Sequence, residues 1–394
     1  MRITYIHQHF KLPTEGGGGR PYQFARRLVA EGHAVTMIAG GAADSRYEID
    51  GIEVRQVSSK YDNSQGWAQR IYTFATFMVR AARVAASVRA DVVFASSTPL
   101  TVAIPGILAS TRQRAPFVFE VRDLWPRVPI ALGYLPKWLH APARLLERFA
   151  YRRASEIIAL SPWMEAGVKD VLPSASTHMI PNCSDLDMVA RGDRATYRHS
   201  FGFRDHEIVF YYGGSLGVGY DPEWLADFAI RAKDEGVRVV VAGDGAGRQL
   251  IAQKLHEEGI APSSVLLGKL PRSRVLELAV ASDVALSSLI DVPELMHNSL
   301  NKVFDALAVG TPVAFNHGGW LCDTVTGAGA GWLVPRRWTQ TGLRDFLTSI
   351  ELDDTLTVAG ERARSLAAQR FDRDRLFEQF HEVLREAADA GSAG

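Results

Sequence analysis

Short apolar, β-branched runs alternate along the chain with longer stretches of helical period. Strand runs fall at 2–6, 34–39, 53–56, 91–95, 117–121, 156–160 and 177–180. They resume at 207–212, 237–242, 264–267, 283–287, 312–315 and 331–333. Apolar residues at i, i+3 and i+4 predict helices over 21–32, 67–88, 100–111 and 142–153. In the second half the same spacing predicts helices over 222–235, 246–258, 273–281, 300–309 and 340–350. Strands separated by helices predict parallel sheets with crossover helices. The chain is therefore an α/β protein with two βα sets. Between them, 181–204 is polar, rich in charge and without a strand pattern, and reads as the linker. A last helix near 373–388 follows the second set, and the small residues 390–394 read as a fraying tail.

Length agrees with this division, because 394 residues are long for one core. Charge narrows the function. With 44 basic and 44 acidic residues the formal net charge is zero, against the basic footprint of a bulk nucleic-acid binder. Cys183 and Cys322 are too few and too far apart for a disulfide framework or a cysteine metal cluster, which suits a reducing compartment. The chain enters its first strand at once, without the segments of a signal peptide. It also lacks the run of about 18 apolar residues that spans a bilayer. A cytoplasmic location is the expectation, and the sequon at Asn182 is read as without meaning.

Four segments carry candidate chemistry. Gly16, Gly17, Gly18 and Gly19 lie between the first strand and a helix beginning near Pro21, where glycines let backbone approach a ligand and a helix end attracts phosphate. The alternative is a surface loop. His7 and His9 end the first strand, on the sheet edge where open α/β folds bind ligands. Glu120, Arg122 and Asp123 crowd the end of strand 117–121. They are either an internal ion-pair network or groups that orient a substrate hydroxyl, with Arg122 an anion binder that cannot act as a base. In the second half, 299–313 reads as a loop, a helix and a Gly-Thr-Pro turn into a strand. It offers Ser299, Asn301 and Lys302 at the helix N-terminus, and Asp305 one turn further on an otherwise apolar helix. A phosphate at the helix mouth and a sugar hydroxyl on Asp305 is the natural reading.

The order and spacing of these pieces resemble the retaining GT-B glycosyltransferases of family 4. The pieces are the 299–313 block, the glycine loop with Phe24–His33 after it, Arg122-Asp123-Leu124-Trp125-Pro126, Ala159-Leu160-Ser161-Pro162 and Ile180-Pro181-Asn182. The resemblance covers most of the chain. It implies two Rossmann-like doubly wound domains facing across a cleft. They would be an acceptor-side domain at 1–190, joined by the C-terminal helix 373–394, and a nucleotide-sugar domain at 191–372. It further implies transfer of a sugar from a nucleotide diphosphate, UDP favoured, to a hydroxyl acceptor with retained configuration. Bacterial surface-polysaccharide transferases that use UDP-linked amino or deoxy sugars are the nearest likeness.

On this resemblance Asp305 would hold the ribose, while Lys302, Asn301 and Ser299 with helix N-termini would hold the diphosphate. Gly16–Gly19 would face diphosphate and acceptor. Asp123 and Glu120 would orient the acceptor, with Arg122 in the position where many members carry histidine. The glycine turn Gly213-Gly214-Ser215 lacks the Arg or Lys that relatives often carry there. Lys302, Lys269 in Gly268-Lys269-Leu270-Pro271 and Arg248 in the turn 243–248 are the candidates to supply that cation. Of two glutamates eight positions apart in many members, the second matches Asp305 and the first falls on His297. No metal or other cofactor is expected, since no Asp-x-Asp ends a strand, and a donor phosphate oxygen would take the acceptor's proton.

Residues 133–154 carry five basic residues and one acidic, with Trp138, Leu139, Leu145, Leu146 and Phe149 at near-helical spacing. The segment is either a helix packed on its own sheet or a peripheral contact with the inner membrane face, which would suit a lipid-linked acceptor. Three rival functions stay open. They are a nucleotide-sugar epimerase of the same fold, an NAD-dependent oxidoreductase, for which neither glycine turn gives a full Gly-x-Gly-x-x-Gly, and a non-catalytic binding subunit.

Overall fold

The structure, a computed structural model, describes residues 1–12, 19–59, 66–186, 193–351 and 354–392. Contacts divide the chain into one unit of Met1–Pro181 with Asp374–Gly394 and a second of Asn182–Arg373. Each is a Rossmann-like α/β body.

The first unit holds an eight-stranded sheet. Its strands are β1 (Arg2–Ile6), β2 (Ala34–Gly41), β3 (Ser45–Ile49), β4 (Ile52–Ser58), β5 (Val92–Ser96), β6 (Phe117–Val121), β7 (Glu156–Ala159) and β8 (Thr177–Met179). Their order is β3-β4-β2-β1-β5-β6-β7-β8. The central strands are buried on both faces, as unbroken apolar runs require. β1 pairs in parallel with β2 on one side and β5 on the other. The order of the chain therefore reverses beside β1, and the carboxyl ends of β1 and β5 flank a topological switch point, where such sheets bind ligands.

One element departs from the expected all-parallel sheet. β3 pairs antiparallel with β4 through the turn Asp50-Gly51, both at positive φ. Its residues, Ser-Arg-Tyr-Glu-Ile, are mostly solvent-facing on this sheet edge, so no apolar run marks it. The terminal helix Arg373–Ser392 packs almost wholly on the first unit. Phe380 meets Phe24 and Phe94 at ring distances of 4.9 and 5.0 Å, and Asp374 accepts a hydrogen bond from Arg27 at 2.7 Å.

The second unit holds β9 (Val209–Gly213), β10 (Arg238–Ala242), β11 (Leu266–Gly268), β12 (Val284–Ser287), β13 (Val313–Phe315) and β14 (Gly331–Leu333). Their order is β11-β10-β9-β12-β13-β14, all parallel where paired. The switch point lies between β9 and β12. Its core gathers Phe210, Trp224, Phe228, Trp338 and Leu343 among others. The polar stretch expected as linker enters this unit. Ser184 donates to the Phe304 carbonyl at 2.8 Å, and Arg194–Ser200 forms a helix capped by Asp193. Asn182 is buried, with its side-chain amide donating to the Ser299 carbonyl at 2.7 Å, so the sequon is spent on packing.

Candidate functional site

In the first unit the chemistry gathers at the carboxyl ends of β1, β5 and β6. Glu120 is fully buried. One carboxylate oxygen accepts from Arg20 Nε at 2.8 Å and the other from Ser96 Oγ at 2.6 Å. Arg20 also donates from Nη1 to the Pro181 carbonyl at 2.6 Å and lies over the Phe24 ring. This corrects the expectation that Glu120 orients an acceptor. It is the internal member of the charge cluster, and it pins the start of helix Arg20–Ala30 to the sheet.

Arg122 and Asp123, by contrast, are half-buried beyond the strand end, with the Arg122 amide donating to Ser97 Oγ at 3.0 Å. Desolvation lifts the Asp123 carboxyl to about 6, against the pull of Arg122. His7 is buried, its Nδ1 3.2 Å from the Ser96 carbonyl, and burial with the nearby Arg122 charge holds it well below the ordinary imidazole range. His9 is lowered to about 4 by burial, Lys11 and Arg122. Both imidazoles are neutral at pH 7, and Arg122 is the cation they share. Gly16, Gly17 and Gly18 lie outside the described residues. Gly19 is the cap residue of helix Arg20–Ala30 and faces open space.

Asp123 carries a pH prediction. A carboxyl whose folded value is raised binds its proton more tightly when folded. The folded state is therefore favoured below the ordinary value of 3.8, and that advantage is lost as pH rises to about 6. Asp123→Asn is expected to raise the melting temperature at pH 7.5 and to leave it unchanged at pH 3.5. Melting curves at the two values check this, and equal shifts would remove the assignment.

In the second unit the chemistry surrounds the end of β9. Gly214 sits at φ 156°, and a Cβ at Gly243 would come within 1.9 Å of the Gly214 carbonyl oxygen. The turns after β9 and β10 thus press together, and only glycine fits at 243. Ser215 is exposed, and its carbonyl accepts from Tyr212 Oη at 2.6 Å. The cation lying against Gly214 is Lys302, whose Cε and Nζ are 3.2 and 3.4 Å from the Gly214 Cβ position. Its Nζ donates to Tyr212 Oη at 2.5 Å and stands 3.9 and 3.8 Å from the ring centres of Tyr212 and Tyr220. Burial holds this amine well below the ordinary lysine value, while the two aromatic faces favour its charge. Arg248 is exposed in the first turn of helix Gly247–Glu257, and Lys269 is exposed on its loop.

Helix Asn301–Val309 begins one residue before Lys302. Its cap residue, Leu300, gives the first turn no side-chain acceptor, and Gly310 at φ 79° ends it. Asn301 is exposed at the first position. Ser299 is clasped to Asn182. Its Oγ accepts the Asn182 backbone amide at 3.0 Å, which leaves the hydroxyl proton to donate elsewhere.

Asp305 is not a lone carboxylate. It accepts from Arg272 Nη2 at 2.7 Å, and the charge of Asp305 is the largest influence raising the Arg272 value. Arg272 and the tyrosine pair escaped the sequence reading. Arg272 had a signal, because a basic residue opening helix Arg272–Ala281 opposes the helix dipole and needs a local reason. Among the described residues no three His, Cys, Asp or Glu side chains gather as a metal site.

Residues 15–183 match the family model of the glycosyl transferase 4-like domain. The chain is 28% identical over 207 residues to the 2-deoxystreptamine N-acetyl-D-glucosaminyltransferase of Streptomyces fradiae, covering 50% of this chain and 47% of that protein. The match thus spans about half the length of that relative. With the D-inositol 3-phosphate glycosyltransferase of Kribbella flavida the identity is 25% over 368 residues, covering 85% of this chain and 82% of that one. In fold it is similar to sucrose-phosphate synthase from Thermosynechococcus elongatus, with a TM-score of 0.77 at 17% identity over 99% of both chains. Anabaena HepE in complex with UDP and glucose gives 0.74 at 18% identity, over 98% of this chain and 100% of that one. In fold the chain is thus of the GT-B kind, as in these neighbours, and its likeness to the glycosyl transferase 4-like family lies in residues 15–183.

Proposed function

We propose that the chain is a retaining glycosyltransferase that moves a sugar from a nucleoside diphosphate donor, with UDP favoured, to a hydroxyl acceptor in polysaccharide or glycoconjugate assembly. The observation that carries this is Lys302, an aromatic-walled cation at an uncapped helix start, lying against the Gly214 turn. Amide N–H groups and a cation held in a low-dielectric pocket stabilise the charge that develops on a departing diphosphate. Lys302 against the glycine turn, which itself carries no Arg or Lys, favours an enzyme over a binding subunit.

The other residues fall into two groups. Asp305, held by Arg272, offers its carboxylate to the ribose, and Asn301, Ser215 and the Ser299 hydroxyl offer donors to the phosphates. On the first unit Asp123, still largely ionised at pH 7, orients the acceptor hydroxyl, and Arg122 takes an anionic group. A donor phosphate oxygen accepts the proton, so the protein positions and stabilises rather than forming a covalent intermediate. HepE, of similar fold, is described with UDP and glucose bound, which supports UDP as the first ligand to test. In a thermal-shift series with UDP, GDP, ADP, dTDP and NAD, UDP at about a hundred times its dissociation constant is expected to add about 2.7 kcal/mol. No shift with any nucleoside diphosphate would sink the proposal.

A further inference from the structure

A groove of 880 Å³ lies within the first unit, between helix Trp67–Ser87 and the segment 125–146. Its walls include Ile71, Phe74 and Met78 on one side and Trp125, Leu132 and Leu146 on the other. The volume is within the range of about 300–1,000 Å³ usual for small-ligand sites. Such a wall holds hydrocarbon and would leave a sugar's hydroxyls without partners.

Trp125 lines the groove, and its backbone amide donates to the Asp123 carbonyl at 3.0 Å. Arginines lie on the groove and along the chain beside Trp125. Arg70 lines the groove and lies 5.7 Å from the Tyr134 ring centre, Arg127 stands 3.5 Å from Asp170, and Arg122 adjoins Asp123. The nearby acids are Asp123, Asp170 and Glu147, and burial lifts the last to about 7. The outer surface of the same segment fits an amphiphile as well. Trp138 and Leu145 are 67% and 70% exposed, while Lys137, Arg144 and Arg148 are exposed beside them. The buried residues of helix His140–Arg153 are instead Glu147, Ala150 and Tyr151. Basic residues mixed with exposed aromatic and aliphatic side chains suit a water–lipid boundary. No helix of the described residues is long and apolar enough to cross a membrane.

We infer that the groove receives the hydrocarbon tail of a phosphate-bearing lipid acceptor, so that its head group lies at the Arg122–Asp123 end of β6. This rests on the transferase reading and names the chemical class of its acceptor.

Farnesyl phosphate is the probe, titrated calorimetrically into the full chain, with inorganic phosphate and phosphatidylglycerol vesicles as parallel arms. Ala143→Trp narrows the groove from its wall, and Arg70→Ala removes a cation without touching the packing of the sheet. Farnesyl phosphate is expected to bind and inorganic phosphate not to. Binding should weaken about tenfold or more in Ala143→Trp and severalfold in Arg70→Ala, with circular dichroism and the UDP-induced thermal shift unchanged. Failure of farnesyl phosphate to bind, or equal binding by both variants and the parent, overturns the inference. So does vesicle binding alone, which would make the segment a membrane-surface contact. A groove-dependent titration without any UDP shift would instead retain the lipid site and defeat the donor reading.

Discussion

Arg20→Met is expected to destabilise the first unit by about 3–5 kcal/mol, because it strips the partner from a buried carboxylate. The Arg20 and Glu120 side chains are 2% and 0% exposed, and Nε meets the carboxylate at 2.8 Å. Removing the guanidinium also frees the Pro181 carbonyl, to which Nη1 donates, and the Phe24 face beneath it. Replacing both partners is a different perturbation. Arg20→Met with Glu120→Met leaves no buried charge and is expected to recover much of the loss. The pair is also incompletely satisfied, since among the described residues buried Arg20 Nη2 has no hydrogen-bond partner, so desolvation offsets part of what the bridge contributes. Urea denaturation of the parent, the two single variants and the double variant measures the coupling. If the single Arg20 variant costs no more than a surface substitution, Glu120 would have to be read as a ligand-facing group after all.

The legibility of the chain follows from what burial does to sequence. Strands such as Phe117–Val121 and Val209–Gly213, buried on both faces, appear as unbroken apolar runs and were readable to within a few residues. β3 has no buried face to write into its sequence, and its evidence lies in the turn Asp50-Gly51, a hairpin signal that a search for apolar runs passes over. The short helices Arg194–Ser200 and Trp320–Gly327 give too few turns for a period to emerge.

The site divides in the same way. Lys302 and Asp305 were visible because neighbouring residues form a local pattern of loop, cation and apolar helix. What surrounds them was not visible, because Tyr212, Tyr220 and Arg272 arrive from other elements and only the sheet topology brings them together. The cluster at 120–123 shows the limit most plainly. Three charges after an apolar strand indicate pairing, but which of them is internal depends on Arg20, a hundred positions earlier.

Lys302→Met is the second large effect, and it is expected to separate function from folding. Nζ meets Tyr212 Oη at 2.5 Å and stands 3.9 and 3.8 Å from two ring centres, so the amine is aimed and enclosed rather than solvated. Losing a charge-assisted contact to the diphosphate should weaken UDP by about 1.5–3 kcal/mol, roughly 10- to 100-fold. If the amine also stabilises the leaving group, turnover should fall by about 10²–10³-fold, as for a lost oxyanion donor. Stability should move the other way or not at all. Desolvation already pulls the amine well below the ordinary lysine value, so methionine relieves a cost while keeping the stem's packing. Lys302→Arg should fail to rescue, because the planar guanidinium needs width where Gly214 and the two tyrosine rings leave little. UDP calorimetry, turnover of a UDP-sugar and melting curves on the same preparations decide it. Loss of UDP binding with an undiminished melting temperature supports the diphosphate role, whereas unchanged UDP affinity would assign Lys302 to the packing of its tyrosines and move the donor site elsewhere.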